Sequence, residues 1–493
     1  MRYLSATILF LCPVWLLAQE TETPPPFDAG DDGPTNVVLI LTDNHGAWTL
    51  GCYGNPDIET PHIDRIAYEG IRFKNAFSSN AVCSPTRATY LTGLVPSQHG
   101  VHCFLRRNEA QMGDDTYCTI EEFRSLPKVL KENGYACGLV GKWHLGANMK
   151  PQEGFDDYWI TMPHGGTSEF YDAEVIEEGE LHTEPRYLTD LWTDHAKKFI
   201  TQNQKKPFFL FLSYNGPYGL GKLLLNPPRN RHYNNYAEDL FPSFPRAQMH
   251  PWQFNNQEYL NNIVSIRRYA AELSGVDDGV GDVMETLLDL GLDHKTLIVF
   301  CADQGWMGGQ NGLWGMGDHT RPLTAFDGMM KVPLMFRHTN HIRPGQTSDI
   351  LVSNYDLMPT LLSYLDLDDQ KNLNANSPGR DFSEAFQGKE IPWQDVVFYE
   401  MENCRCVRTK TAKYIHRHPD GPHELYDLTH DPDEKMNLYG QPGQAELQQA
   451  LKEGLDAFFK VYADPKYDLY NGGTSKAKLL SDPTVGPTKP QQN

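Results

Sequence analysis

The sequence is short of positive charge. It has 43 Lys and Arg against 64 Asp and Glu, a formal net charge of −21. A protein that grips a phosphate backbone needs basic surface, so nucleic acid is not an expected partner. The same deficit means that an anionic substrate must be drawn into a local positive pocket against the field of the whole molecule. Long apolar runs are also missing after the N-terminus, so no segment there is expected to cross a bilayer. There are no internal repeats. Cysteine is sparse, nine in 493 residues. With Cys12 and Cys83 set aside, the remainder are Cys52, Cys103, Cys118, Cys137, Cys301, Cys404 and Cys406. That odd number argues against a fully paired disulfide framework. Loop context makes Cys103 and Cys118 the expected pair. Cys137 and Cys301 sit in apolar strand-like runs and read as core. Cys404-x-Cys406 lacks the second half a structural zinc site needs.

The ends of the chain differ from the rest. Residues 1–19 begin with Arg2, run apolar from Tyr3 to Leu17, and read as a secretory signal peptide. The protein is therefore expected to be secreted or periplasmic, with no stable membrane anchor. Residues 20–34 are rich in Pro and Asp and read as a linker, and residues 471–493 as a flexible tail. Between them the length suits one large domain, residues 35–390, and a smaller one, residues 391–470.

The large domain alternates apolar strand runs with helical patterns. Val37–Leu41, Ala136–Val140, Phe208–Leu212 and Leu297–Phe300 are continuous apolar runs, the signature of strands buried on both faces. The expectation is an α/β domain built on a large, mostly parallel sheet flanked by helices. From about residue 392 short strands and one amphipathic helix (444–462) suggest a small α+β domain. In parallel sheets ligands bind beyond the carboxyl ends of the strands. Four strand ends here carry residues able to do chemistry: Asp43, Lys142 with His144, Asn215 with Tyr218, and Asp303 with Gln304.

One stretch organises the rest: Cys83-Ser84-Pro85-Thr86-Arg87, continuing to Leu91-Thr92-Gly93. Ser84 reads as a helix N-cap, Pro85 suits the first helical position, and Gly93 can end the helix in a left-handed conformation. Cys83 then stands at a helix start, where free N–H groups and the dipole favour an anion, and Arg87 lies one turn on.

This stretch resembles the C-x-P-x-R maturation signature and L-T-G tail of the type I, formylglycine-dependent sulfatases, of the alkaline phosphatase-like superfamily. The likeness extends over roughly residues 36–440. It implies an alkaline phosphatase-like fold and hydrolysis of sulfate esters. It implies that Cys83 is oxidised to formylglycine (3-oxoalanine) by a formylglycine-generating or anaerobic maturation enzyme, and that the aldehyde hydrate attacks sulfur and expels an alcohol. The positions matching the family's metal ligands are Asp43, Asn44, Asp303 and Gln304, with modified Cys83 adding a further ligand. All are oxygen donors suited to a hard cation such as calcium. Arg87 would fix the hydrate and the metal ligands, Lys142 would neutralise a sulfate oxygen, and His144 would polarise or deprotonate the hydrate. His99 matches a supporting position.

Two positions depart from the family pattern. Tyr218 stands where a histidine usually protonates the leaving oxygen, and Met316 stands where a lysine is often found. His319, three residues on and next to Asp318, is expected to replace the lost cation, with Asp318 orienting it or keeping it protonated. A sulfated carbohydrate is the expected substrate, because the aromatic-rich segment 219–256 offers Trp252, Phe254, Tyr233 and Tyr236 for stacking on sugars. The alternatives are a phosphodiesterase or phosphonate monoester hydrolase on the same scaffold, and a non-catalytic polysaccharide-binding relative.

Overall fold

The structure is a computed structural model that describes residues 33–481 apart from 114–115, 167–168 and 226–228. The expected signal peptide and nearly all of the expected linker lie outside the described residues.

The apolar runs form the centre of an eleven-stranded mixed sheet. Its middle is parallel. Asn36–Asp43 lies between Phe208–Pro217 and Thr296–Ala302, and Ala136–Gly141 flanks Phe208–Pro217. Leu39 is level with both Phe211 and Val299. Alternate residues of the first strand point to opposite cores. Val38 and Ile40 join Trp192, Phe199, Val276 and Val280 from the helices Leu188–Asn203 and Ile263–Asp289. Val37, Leu39 and Leu41 join Leu91, Val129 and Leu361 on the other side. Both faces are covered, so the run needs no polar alternation. Each such side chain contributes about 1.5–3 kcal/mol by leaving water.

The sheet's flanks were less visible in the sequence. Tyr158–Thr161 continues the parallel order, and Ala173–Glu177 and Glu180–Glu184 then add antiparallel. Opposite, Leu334–Arg337 is antiparallel to both Thr296–Ala302 and Ile71–Phe77, and Gln346–Ser353 runs parallel to Ile71–Phe77. Ala173–Glu177, Glu180–Glu184 and the first half of Gln346–Ser353 are partly solvated and carry charged or polar residues, which breaks the apolar signal, whereas Leu334–Arg337 is fully buried and overlaps an apolar run, 332–336, that reads as a strand.

The C-terminal part is a four-stranded antiparallel sheet in chain order: Val396–Met401, Cys404–Thr409, Ala412–Arg417 and Glu424–Asp427. The helix Ala445–Tyr462 packs Leu451, Leu455 and Phe459 onto Val407, Tyr414 and Leu425. The expected flexible tail is corrected over its described part. Lys476 N donates to Gly100 O (2.8 Å), and Leu480 N and Ser481 N both donate to the buried Glu402 carboxylate (2.6 and 2.9 Å). A carboxylate needing partners thus holds a polar segment in place. The expected Cys103–Cys118 disulfide is also corrected: both thiols are free, like the other six described cysteines. Cys118 Sγ donates instead to Glu153 Oε1 at 3.6 Å, and Cys103 is fully buried.

The long helix Ile263–Asp289 buries a carboxylic acid. Glu272 accepts a hydrogen bond from Tyr187 Oη, and burial pushes its pKa up to about 7 from 4.5. The folded state therefore holds a proton that the unfolded chain releases, and stability should fall as pH rises through that window, by about 1.4 kcal/mol per pH unit for this group. Glu272→Gln should remove that component. Urea unfolding at about pH 5 and about pH 8 should show a smaller loss of stability in the variant than in the wild type. Parallel losses would mean that Glu272 is already ionised in the native protein.

Candidate active site

The carboxyl ends of the central strands converge on the start of the helix Cys83–Thr92. Gly93, at φ 68°, ends this helix as the sequence suggests. Its beginning is two residues earlier than expected. Val82, in extended conformation, occupies the N-cap position, and Ser84 Oγ accepts from Leu105 N (3.0 Å) rather than capping. Every residue of the helix is buried, Cys83 included, so position 83 lies inside the protein rather than at a surface helix end.

Four buried charges surround Cys83. Arg87 donates from Nε and Nη2 to Asp303 Oδ2 (3.1 and 2.8 Å), and Nη2 lies 3.4 Å from Asp43 Oδ2. Its Nη1 donates to Lys142 O (2.7 Å) and Ser213 Oγ (2.6 Å). Lys142 Nζ donates to Asp43 Oδ2. Cys83 Sγ is 3.6 Å from Asp43 Oδ1. Asp303 Oδ1 accepts from the backbone N–H groups of Asn44 (3.2 Å) and Gln304 (2.9 Å). Asn44 can supply its N–H because it takes φ 53°, a left-handed conformation asparagine tolerates.

The charges set one another's protonation. Burial, then the neighbouring Asp303, raises Asp43 to about 6, although Lys142 and Arg87 oppose the shift. Burial pulls Lys142 down, but Asp43, with the other acidic groups around it, together outweighs burial and the ammonium is held. Burial, aided by Asp43, pushes the Cys83 thiol well above its usual range. Unmodified Cys83 is therefore a neutral thiol, a poor nucleophile.

His144 also sits at a strand end. Its Nε2 is 2.8 Å from Leu105 O, so this nitrogen carries the proton, and Nδ1 is buried without a partner among the described residues. Burial keeps the ring neutral. Gly165 is what lets the ring lie there, since a Cβ at 165 would be 1.9 Å from His144 Nδ1. Gly165→Ala should displace the imidazole and lower turnover on the order of 10²-fold, the cost of misplacing a proton-transfer group. Steady-state kinetics beside a melting curve will separate this from unfolding. A variant as active as the wild type would remove His144 from the reaction.

The remaining expected residues are only partly assembled. Met316 does reach the centre: Gln304 Nε2 lies 3.3 Å from its Sδ and 3.4 Å from Cys83 Sγ, and bonds Asn44 Oδ1. Tyr218 is buried, with Lys142 Nζ 5.5 Å from its ring centroid. Asn215 faces away and accepts from Trp192 Nε1 (3.0 Å). His319 Nδ1 accepts from Met316 N (3.2 Å), and its Nε2 is 3.5 Å from Asp318 Oδ1. The idea that Asp318 keeps His319 protonated is corrected: burial outweighs Asp318 and lowers the pKa. His99 is a support, bonded to Thr89 Oγ1 and Val101 N. Tyr236 is corrected as a sugar platform, since it is buried with its hydroxyl on Ser274 Oγ (2.6 Å). Ser213, Leu105 and Gly165 were not singled out from the sequence. Ser213 could have been, as the first polar residue after an apolar strand run. A carbonyl and a glycine leave no such mark.

The donor set fits a hard cation. Ligand atoms of Asp43, Cys83 and Asp303 lie within 4.8 Å of one another, with Asn44 Oδ1 alongside. Carboxylate and amide oxygens of this kind hold calcium or magnesium rather than a soft metal. Gln304 fits after its amide is turned over, since its nitrogen faces Asn44 Oδ1, and the two ends of an amide are sterically equivalent.

Comparison with known proteins gives a consistent outcome. Residues 35–367 match the family described as Sulfatase, and residues 319–460 match N-sulphoglucosamine sulphohydrolase, C-terminal. The chain is 25% identical to an N-acetylglucosamine-6-O-sulfatase of Bacteroides thetaiotaomicron, over 87% of each protein. It is 32% identical to an N-acetylgalactosamine-6-sulfatase of Rattus norvegicus, covering 68% of this chain and 63% of that one. In fold it is similar to a protein solved with its substrate D-glucosamine-2-N,6-O-disulfate, with TM-score 0.72, 24% identity, and coverage of 87% of this chain and 98% of that one. Among the described residues no helix is long and apolar enough to cross a membrane.

Proposed function

The chain belongs to the sulfatase family, and from that premise we propose that it is an exported enzyme that hydrolyses sulfate esters of a carbohydrate, with Cys83 matured to formylglycine and calcium as its metal. The observation that carries the reading is the burial of Cys83 among Asp43, Asp303, Arg87 and Lys142. A thiol pushed far above neutral pH has no use as a nucleophile, whereas the same position as an aldehyde hydrate offers an oxygen. The sugar preference rests on relatives named for amino-sugar sulfates and on the exposed Phe254 beside the site loop. Export rests on the N-terminal signal pattern.

Asp43, Asn44, Asp303, Gln304 and the modified residue 83 would hold the calcium, which when bound supplies charge that draws in a sulfate oxygen and makes sulfur more electrophilic. The protein's own residues do the rest. Arg87 locks both carboxylates and, with Lys142 O and Ser213 Oγ, ties the ends of four strands together. Lys142, kept charged by Asp43, offers a hydrogen-bond donor to a sulfate oxygen. His144 presents an unprotonated Nδ1, the atom able to take a proton from the hydrate. His319 and Tyr218 are the groups we assign to the leaving oxygen, each as a hydrogen-bond donor: His319 through Nε2–H, and Tyr218 through a hydroxyl that burial and nearby carboxylates keep protonated.

A panel of defined sulfated oligosaccharides, with release of free sulfate as the readout, tests the proposal. Desulfation of at least one amino-sugar or uronate-containing member is expected. Turnover of phosphate or phosphonate esters in preference to every sulfate ester would overturn it.

A further inference from the structure

The segment 219–256 returns to the active-site loop and is stitched to it. Gln253 exchanges two hydrogen bonds with the Trp314 backbone (2.8 and 2.9 Å), and Phe254 N donates to His319 O (2.9 Å). Arg321 N donates to Trp252 O (2.9 Å). This is the loop whose Met316 touches Gln304 beside Cys83. Contacts of ordinary bonding length therefore run from residue 83 out to Phe254 and Arg321.

Arg321 is unusual in this chain. Its guanidinium carbon lies 4.7 Å from the Phe254 ring centroid, and Phe254 is 38% exposed. Nη1 is spent on the carbonyls of Asp318 (2.8 Å) and Thr320 (2.7 Å), which fixes the plane of the group. No other side-chain donor of Arg321 has a partner among the described residues, and no carboxylate there lies within ion-pair distance. In a protein with net charge −21, such an arginine has passed over many acidic groups. A guanidinium held flat on an aromatic ring, with free donors along one edge, matches the two-oxygen face of a carboxylate or a sulfate. It also avoids the entropy cost that a freely rotating side chain would bear on binding.

We propose that Arg321, stacked on Phe254, is a second anion subsite that grips a further negative group of the substrate, beyond the sulfate being hydrolysed. This rests on the reading of the protein as a carbohydrate sulfatase and narrows it to polyanionic sugars. The group is a second sulfate ester or a uronate carboxylate. Phe254 supplies an apolar face for the sugar that carries it.

The test uses the full chain as Cys83→Ala, so that binding is read without turnover. Calorimetry compares three oligosaccharides of one backbone: one with a single sulfate, one with a second sulfate, and one with a uronate carboxylate instead. Arg321→Gln in this background should weaken binding of one or both dianionic ligands by about 10–100-fold, the scale of one charge-assisted contact, and leave the singly sulfated ligand within about twofold. Which dianion loses affinity identifies the group. Phe254→Ala should cost less and act on the same ligand. Equal losses on all three ligands, or no loss on any, would overturn the subsite. Active enzyme carrying Arg321→Gln should repeat the pattern as a raised KM with kcat retained. Failure of the wild type to desulfate any of the sugars would count against the sulfatase reading alone, because the calorimetric arm does not depend on turnover.

Discussion

Replacing Cys83 with alanine should lower turnover by about 10⁴–10⁶-fold, the scale on which a covalent nucleophile is lost. The fold should survive. The change deletes one atom about the size of a methylene from a well-packed helix start, a cost of about 1 kcal/mol. Cys83→Ser should behave in the same way unless the host's maturation enzyme accepts serine. Wild-type protein produced without such an enzyme should be almost as inactive, because its thiol stays protonated between Asp43 and a low-dielectric surround. Activity of Cys83→Ala within tenfold of wild type, in matched melting curves, would place the chemistry elsewhere.

The second large effect concerns the metal. Asp303→Asn keeps shape but removes one of two carboxylates, and should abolish both bound calcium and turnover. Added calcium should raise the melting temperature of the wild type, since a ligand at about 100 times its Kd stabilises by about 2.7 kcal/mol, and should leave Asp303→Asn unmoved. Asp303→Ala should do more harm. It strips Arg87 of the carboxylate that takes two of its hydrogen bonds and leaves Asp43, at 3.4 Å, as the one anionic partner, among the described residues, of a buried guanidinium, which costs about 3–5 kcal/mol. Asn44→Ala and Gln304→Ala should be milder, since a neutral oxygen contributes less to a divalent ion and water can stand in. Full activity in protein shown by elemental analysis to be free of metal would rule out the cation site.

Much of this was legible in the chain, and the reasons are local. Val37–Leu41 announces a doubly covered strand by having no polar residue, and Asp43 is conspicuous because it ends such a run. Lys142 and Asp303 were found by the same logic, Cys83 and Arg87 by the helix-start pattern and the motif they share with the sulfatases, and the structure brings all four together around Asp43. Elements whose stability comes from their neighbours were harder to see. Glu180–Glu184 is polar apart from the exposed Leu181, and only its pairing with Ala173–Glu177 makes it a strand. The segment after residue 471 has the composition of a loose tail, yet the buried Glu402 holds part of it. Cys103 and Cys118 share a loop context, yet both are free: Cys118 bonds Glu153 and Cys103 is packed in the core. At the site, residue type was a good guide to presence and a poor one to orientation. Asn215 stands at the right strand end and turns to Trp192, and both ring nitrogens of His319 face its own loop rather than open space.

The measurement that tests the account most directly is the mass of the proteolytic peptide containing Cys83, taken from protein whose sulfate-releasing activity has been titrated. The account predicts that the aldehyde form of residue 83 is present and that its fraction equals the fraction of active enzyme. Full specific activity from protein whose Cys83 peptide carries only the unmodified thiol would contradict it.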